Sequence, residues 1–222
     1  MALCGTAPVS AQRTAPLTAG ERIQNLDQFK GKLKRYHDCT VASVCYAHDL
    51  GVEADRAIAF LDRRAARNAR GEKLAVVLDI DETTLSNYEE MLKAGFAYDS
   101  KAFDAWVESA AAPAIPGTLR LVKDARRLGV SVFFLTGRAE SERAATDRNL
   151  RAQGFDDYAR LILRGAGEEK MTAAEYKSRE RAKIAAEGYR IVLSVGDQWS
   201  DLRGKPEAEY SVKYPNPYYF IP

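Results

Sequence analysis

The chain is 222 residues long, enough for one sizeable core and short for two. Hydrophobic residues make up 46% and charged residues 29%, and 33 basic against 31 acidic side chains leave a formal charge of +2. That balance gives no hold to a partner bound by bulk charge, so no nucleic acid is expected. No stretch approaches the roughly 18 apolar residues of a membrane helix, so no membrane span is expected either.

Residues 1–18 read as a disordered tail or the remnant of a signal segment. "VSA" before Gln12 looks like the small-residue end of a secretory signal, but a charged start and a full apolar run are missing. From about 20 to 70 the apolar spacing is helical, with Gly51 and Gly71 as stops. Cys39 and Cys45 fall inside "HDCTVASVCYAHDL", read as helix, where a spacing of six puts them on different faces. A disulfide would need a break in that helix, so two free thiols are expected. Neither a C-x-x-C pair nor a Cys/His cluster offers a zinc site.

"LAVVL" (74–78) is a short unalternating apolar run, which suits a strand buried on both faces of a parallel sheet. Residues 82–117, with Tyr88, Phe96, Tyr98, Phe103 and Trp106, are too many for a simple crossover and are read as a small helical cap insertion. Then come a helix at 118–129, a strand at 130–135, a helix through 139–154, a strand at 160–163, a helix at 173–188 and a strand at 190–195. The tail "YPNPYYFIP" is read as an irregular strap. This alternation is the grammar of an α/β fold, a doubly wound, mostly parallel Rossmann-like sheet, forming a single domain over 19–222 with an N-terminal helical segment.

In such sheets ligands bind beyond the carboxyl ends of the strands. Asp79 and Asp81 stand there, two apart, so both carboxylates can face one cleft while Glu82 points elsewhere. Two carboxylates so placed call for a hard, oxygen-seeking cation such as Mg²⁺. After the second strand, Thr136 brings a hydroxyl and Gly137 lets backbone amides approach an anion. After the last, Asp197 can complete the ion's ligands, and Asp201, four residues on, suits a supporting role. A positive neighbour is needed for the phosphoryl charge. Lys170, Lys177 and Lys183 compete for it, and spacing does not choose. The chemistry this set fits is phosphoryl transfer through an aspartyl-phosphate.

"DIDETTL", "LTGR", "YKSRERAKI" and "GDQWSDL", in that order, resemble the four motifs of the haloacid dehalogenase-like phosphatases. The chain is most similar to the acid phosphatases of classes B and C and to the plant vegetative-storage-protein type. "LSNYEEMLKAGFAYDSKAFDAWV", "PAIPGTLRLV", "ILRG", "EGYRI" and "YPNPYYFIP" extend the likeness over most of the chain after about residue 35. The resemblance implies a phosphomonoesterase acting on small phosphomonoesters at mildly acidic pH. It implies Asp79 as nucleophile, Asp81 as general acid/base, and Thr136 and Gly137 on the phosphoryl group with Lys177 as the charge-stabilising lysine. Mg²⁺ would be held by Asp79, the Asp81 backbone carbonyl and Asp197, with Asp201 in support. For many bacterial relatives it also implies an extracytoplasmic location.

Two other classes stand beside this one. A signal-receiver domain also gathers acids, a Thr and a Lys around Mg²⁺, but its phosphorylated Asp comes from a later strand than its acid pair. A storage or binding protein on the same fold is the third, and retention of Asp79, Asp81, Thr136, Lys177 and Asp197 weighs against it.

Overall fold

The structure, a computed structural model, describes residues 23–40, 44–168 and 170–222. The expected tail at 1–18, with Cys4, lies outside them. In chain order the elements are α1 (Leu26–Asp38), α2 (Tyr46–Ala66), β1 (Lys73–Leu78), α3 (Tyr88–Lys93), α4 (Ser100–Ser109), α5 (Pro116–Arg127), β2 (Ser131–Ala139), α6 (Arg143–Ala152), β3 (Arg160–Arg164), α7 (Ala173–Ala186), β4 (Tyr189–Gly196), α8 (Trp199–Leu202) and β5 (Tyr210–Lys213).

The five strands form one sheet in the order β3-β2-β1-β4-β5, every pair parallel. β1 is central, which is why its run carries no polar alternation: both faces are covered. Leu74, Val76 and Leu78 point into a core closed by α2 and α5, where Leu50, Ala54, Leu61, Leu121 and Val122 are buried. Ala75 and Val77 point the other way, toward Tyr176 and Ile184 of α7. α2 packs closely enough on α5 that a Cβ at Gly117 would overlap the Ala54 side chain, so this position admits nothing larger than glycine.

Three sequence expectations are corrected here. Gly51 does not stop a helix, because α2 runs through it to Ala66, carried by the buried stripe Leu50, Ala54, Ala57 and Leu61. Cys39 and Cys45 do not share a helix: α1 ends at Asp38, both cysteines have extended backbone, and α2 starts at Tyr46. Outside a helix their Cα atoms come within 5.6 Å, and the two form a disulfide rather than free thiols. β5 is an edge strand where none was expected. Only Val212 in it is buried, so its pattern is weak.

Between β1 and α5 stand α3 and α4. Aromatics of this segment pack on α1 and the tail: Tyr88 of α3 stacks on His37 with ring centroids 3.3 Å apart, and Phe96, between α3 and α4, stacks on Tyr218 at 5.8 Å. The tail 214–222 has no regular structure and crosses the carboxyl ends of the strands, with the Tyr219 hydroxyl donating to Glu82.

Candidate active site

Asp79 continues the alternation of Ala75 and Val77, so its side chain leaves β1 on the α7 side. Its backbone N–H still donates to Val195 O (3.0 Å), which keeps it in register with β4. α7 starts at a Thr172–Glu175 capping box, and that start sets which helical turn faces the strand ends. Lys177 is the residue it delivers. Its Nζ, buried, donates to Asp79 Oδ1 and, at 2.5 Å, to Asp201 Oδ1. Lys183 is on the surface against Glu180 and Lys170 is exposed, so Lys177 alone of the three lysines reaches the acids.

β4 ends at Gly196, and the next residues form the second wall. A Cβ on Gly196 would overlap Asp201, so glycine here is what lets the Asp201 carboxylate fold back over the strand end. Asp201 Oδ2 accepts from the Gln198 backbone N–H at 2.8 Å, capping α8. Arg181, fully buried, donates to the carbonyls of Asp201 (2.6 Å), Arg203 and Pro206 and fixes this loop from below. Asp197 Oδ2 accepts from Gln198 Nε2 and Asn216 Nδ2, both at 2.7 Å, and Oδ1 accepts from the Thr83 hydroxyl at 3.2 Å.

Carboxylate oxygens of Asp79, Asp197 and Asp201 lie within 4.8 Å of one another, all three residues buried. Among the described residues, Lys177 is the only cationic side chain hydrogen-bonded to these three carboxylates. Burial first, then the neighbouring Asp201, raises the Asp197 pKa to about 6. Burial also drives Asp79 well above the usual carboxylate range. Lys177 opposes that shift, and Asp201, Asp197 and Asp81 add to it. Three clustered carboxylates sharing one ammonium are hard oxygen donors that fit a divalent cation such as Mg²⁺.

Asp81 lies in a different setting. Its Oδ1 accepts from Arg138 Nη2 (2.7 Å), Arg138 Nε (3.1 Å) and Asn87 Nδ2 (2.8 Å). Its Oδ2 has only longer contacts, to Arg138 Nε at 3.3 Å and the Thr136 hydroxyl at 3.4 Å. Burial pushes the Asp81 carboxyl up, but the Arg138 guanidinium outweighs it and holds the group below its ordinary value. Arg138 is itself buried and anchored to Thr146 Oγ1 at 3.2 Å.

The chain turns away from the site at Glu82, whose φ of 55° is unfavourable for a residue with a side chain, by about 1 kcal/mol. Glu82 is not solvent-facing. It is buried and accepts from the Asn87 backbone N–H (2.6 Å), Asn87 Nδ2 (3.2 Å) and the Tyr219 hydroxyl (2.9 Å). Burial, reinforced by Asp81 and Asp197, pushes its pKa up to about 8.

Of the residues singled out from sequence, Asp79, Lys177, Asp197 and Asp201 meet at one cluster, and Asp81 and Thr136 meet beside it. Gly137 is exposed at the rim, with nothing near the place a Cβ would take. Arg138, Asn87, Gln198 and Asn216 were missed. Arg138 had a signal, because it follows Thr136 by two along β2 and so shares its face. The three amides had none, since no spacing rule marks them.

The family model described as "HAD superfamily, subfamily IIIB (Acid phosphatase)" matches residues 5–222. The chain is 45% identical to Acid phosphatase 1 of Solanum lycopersicum over 148 residues, which is 65% of this chain and 58% of that protein. It is 31% identical to Vegetative storage protein 1 of Arabidopsis thaliana over 207 residues, 90% of this chain and 74% of that one. Among the most similar relatives, the first three are matched over less than two thirds of their own length, at 58–59%. In fold, the class C acid phosphatase from Bacillus anthracis with tungstate bound superposes with a TM-score of 0.70 at 23% identity, covering 88% of this chain and 86% of that one.

Proposed function

Because the chain belongs to subfamily IIIB of the HAD superfamily, the acid phosphatases, we propose that it hydrolyses small phosphomonoesters through an aspartyl-phosphate on Asp79. The observation that carries this reading is the pairing of two unlike aspartates. Asp79 is gripped by Lys177 in a cluster of three buried carboxylates, and Asp81, two residues on, is held separately by Arg138.

In the first step an Asp79 carboxylate oxygen attacks phosphorus. Asp81 gives its proton to the leaving oxygen as the P–O bond breaks. In the second, Asp81, now a carboxylate, takes a proton from water as that water attacks the phosphoryl group, and Asp79 is released. Lys177, the Thr136 hydroxyl and the backbone at Gly137 hold the phosphoryl oxygens, offsetting the repulsion of an anion approaching an anion. Asp79 and Asp197, with the Asp81 backbone carbonyl, would hold Mg²⁺, supported by Asp201. When bound, Mg²⁺ supplies the charge that lets Asp79 stay ionised and neutralises the phosphoryl oxygens. Residues 82–117 serve as the cap.

Because Arg138 depresses the Asp81 carboxyl, the protonated acid needed in the first step is lost as pH rises, which places activity on the acidic side. The Cys39–Cys45 disulfide supports an extracytoplasmic location, since such bonds persist in oxidising compartments. The storage-protein reading draws on the likeness to Vegetative storage protein 1. Multiple turnover of an aryl phosphate separates it, and a receiver-like switch, from the enzyme.

The test is a phosphatase screen over nucleotides, sugar phosphates and phosphoamino acids, with and without Mg²⁺. Turnover that stops in excess chelator and returns with Mg²⁺ is expected. Full activity in chelator, or no turnover of any ester, overturns the reading.

A further inference from the structure

Asn87 has no role in the steps above, yet it is buried and fully engaged at the edge of the site. Its side-chain Oδ1 accepts from the indole Nε1–H of Trp106 at 2.9 Å, and its Nδ2 donates to Asp81 Oδ1 at 2.8 Å. The indole N–H can only donate, so it fixes which end of the amide is oxygen and turns the NH₂ end to Asp81. The backbone of Asn87 is tied as well, through its N–H to Glu82 Oε1. Trp106 lies on α4, and Phe103, three residues earlier on the same helix face, puts its ring 6.0 Å from the Arg138 guanidinium carbon. One helix of the insertion therefore touches both residues that donate to Asp81 Oδ1.

An amide NH₂ and a guanidinium have no lone pair to offer a proton. Oδ1 takes the amide at 2.8 Å and the shortest guanidinium contact at 2.7 Å and is held as an acceptor, whereas Oδ2 has only Arg138 Nε at 3.3 Å and the Thr136 hydroxyl at 3.4 Å and is the oxygen left to carry the proton. We propose that Asn87, oriented by Trp106, is a positioning residue that pins Asp81 Oδ1 and presents Oδ2 to the leaving group. This rests on the reading of Asp81 as general acid. In the step it serves, the Oδ2–H bond breaks and the proton passes to the leaving oxygen, which keeps the electron pair of the broken P–O bond. Asp81 is left as a carboxylate whose Oδ1 is already hydrogen-bonded. α4 thereby couples the insertion to proton delivery rather than only covering the cleft.

The experiment compares kcat/KM for phenyl phosphate and 4-nitrophenyl phosphate in wild type, Asn87→Ala and Trp106→Phe, with melting temperatures alongside. A nitrophenolate leaves without much help from an acid, whereas a phenolate needs the proton. Both variants are expected to lose at least about fivefold more on phenyl phosphate than on 4-nitrophenyl phosphate. Trp106→Phe keeps an aromatic side chain on α4 while removing the N–H donor, so it carries the test if Asn87→Ala does not fold. Equal losses on the two esters assign the residues to packing and overturn the inference alone. A wild-type protein that turns over neither ester overturns the functional reading and this inference with it.

Discussion

Asp79 and Asp81 are separated by one residue but sit in opposite electrostatic surroundings. Around Asp79 two further carboxylates share one ammonium, and burial leaves its pKa well above the ordinary carboxylate value. Around Asp81 a guanidinium, an amide and a hydroxyl face a single carboxylate, and its pKa lies below the ordinary value. These directions are the reverse of what a nucleophile and an acid need. The contrast shows where each group's missing partner must come from. On the proposed reading, the Asp79 side needs a cation, which a divalent metal would supply, and the Asp81 side needs a proton, which acidic solution would supply.

The largest expected effect comes from removing the nucleophile. Asp79→Asn should lower kcat on an aryl phosphate by at least about a thousandfold, as losing a covalent catalyst does elsewhere. Activity near wild type would refute the aspartyl-phosphate. Next is the one cation on the crowded side. Lys177→Met leaves buried carboxylates unpaired and should cost about 3 kcal/mol or more in chelator. It also makes the cluster more negative, so Mg²⁺ should raise the variant's melting temperature by more than it raises wild type's. An equal shift would mean that no metal binds at these carboxylates.

A smaller change tests the other side. Arg138→Met removes the charge that depresses Asp81, so the fall of kcat/KM with rising pH should move to higher pH, with an overall loss of about tenfold. An unmoved profile would detach Asp81 from the acid role. The last effect is read on stability alone, at Glu82, whose folded-state pKa of about 8 exceeds its ordinary 4.5. The native state therefore binds this proton more tightly than the unfolded chain does. Its contribution to stability is complete below about pH 4.5 and is lost as pH rises to about 8. In chelator, denaturation midpoints of Glu82→Gln should fall less steeply over that window than wild type's.

The sheet was legible because a central parallel strand must be apolar on both faces, and "LAVVL", "VSVFFL" and "RIVLSV" have no other ready use. β5 escaped because an edge strand with one buried residue resembles a loop. The disulfide escaped because nothing in the apolar spacing marks the end of α1 at Asp38 or the start of α2 at Tyr46. At the site, residues carried by strand ends announced themselves by position. Asn87, Gln198 and Asn216 act through contacts made only after distant segments meet, and Arg181 works entirely through backbone carbonyls, which leave no trace in sequence.

The order of strands in the sheet also dictates an order in time. β1 is made early, but its β4 neighbour, along with Lys177, Asp197 and Asp201, follows about a hundred residues later. At ribosomal rates of roughly 5–20 residues per second, that is an interval of about 5–20 s. Throughout it, the nascent chain can pair β1 with β2, and β2 with β3, while the other edge of β1 stays open. The same interval leaves Asp79 without its ammonium. The central strand that ends at Asp79 is thus, during synthesis, an apolar edge awaiting its β4 partner, and whatever slows translation before β4 prolongs that exposure.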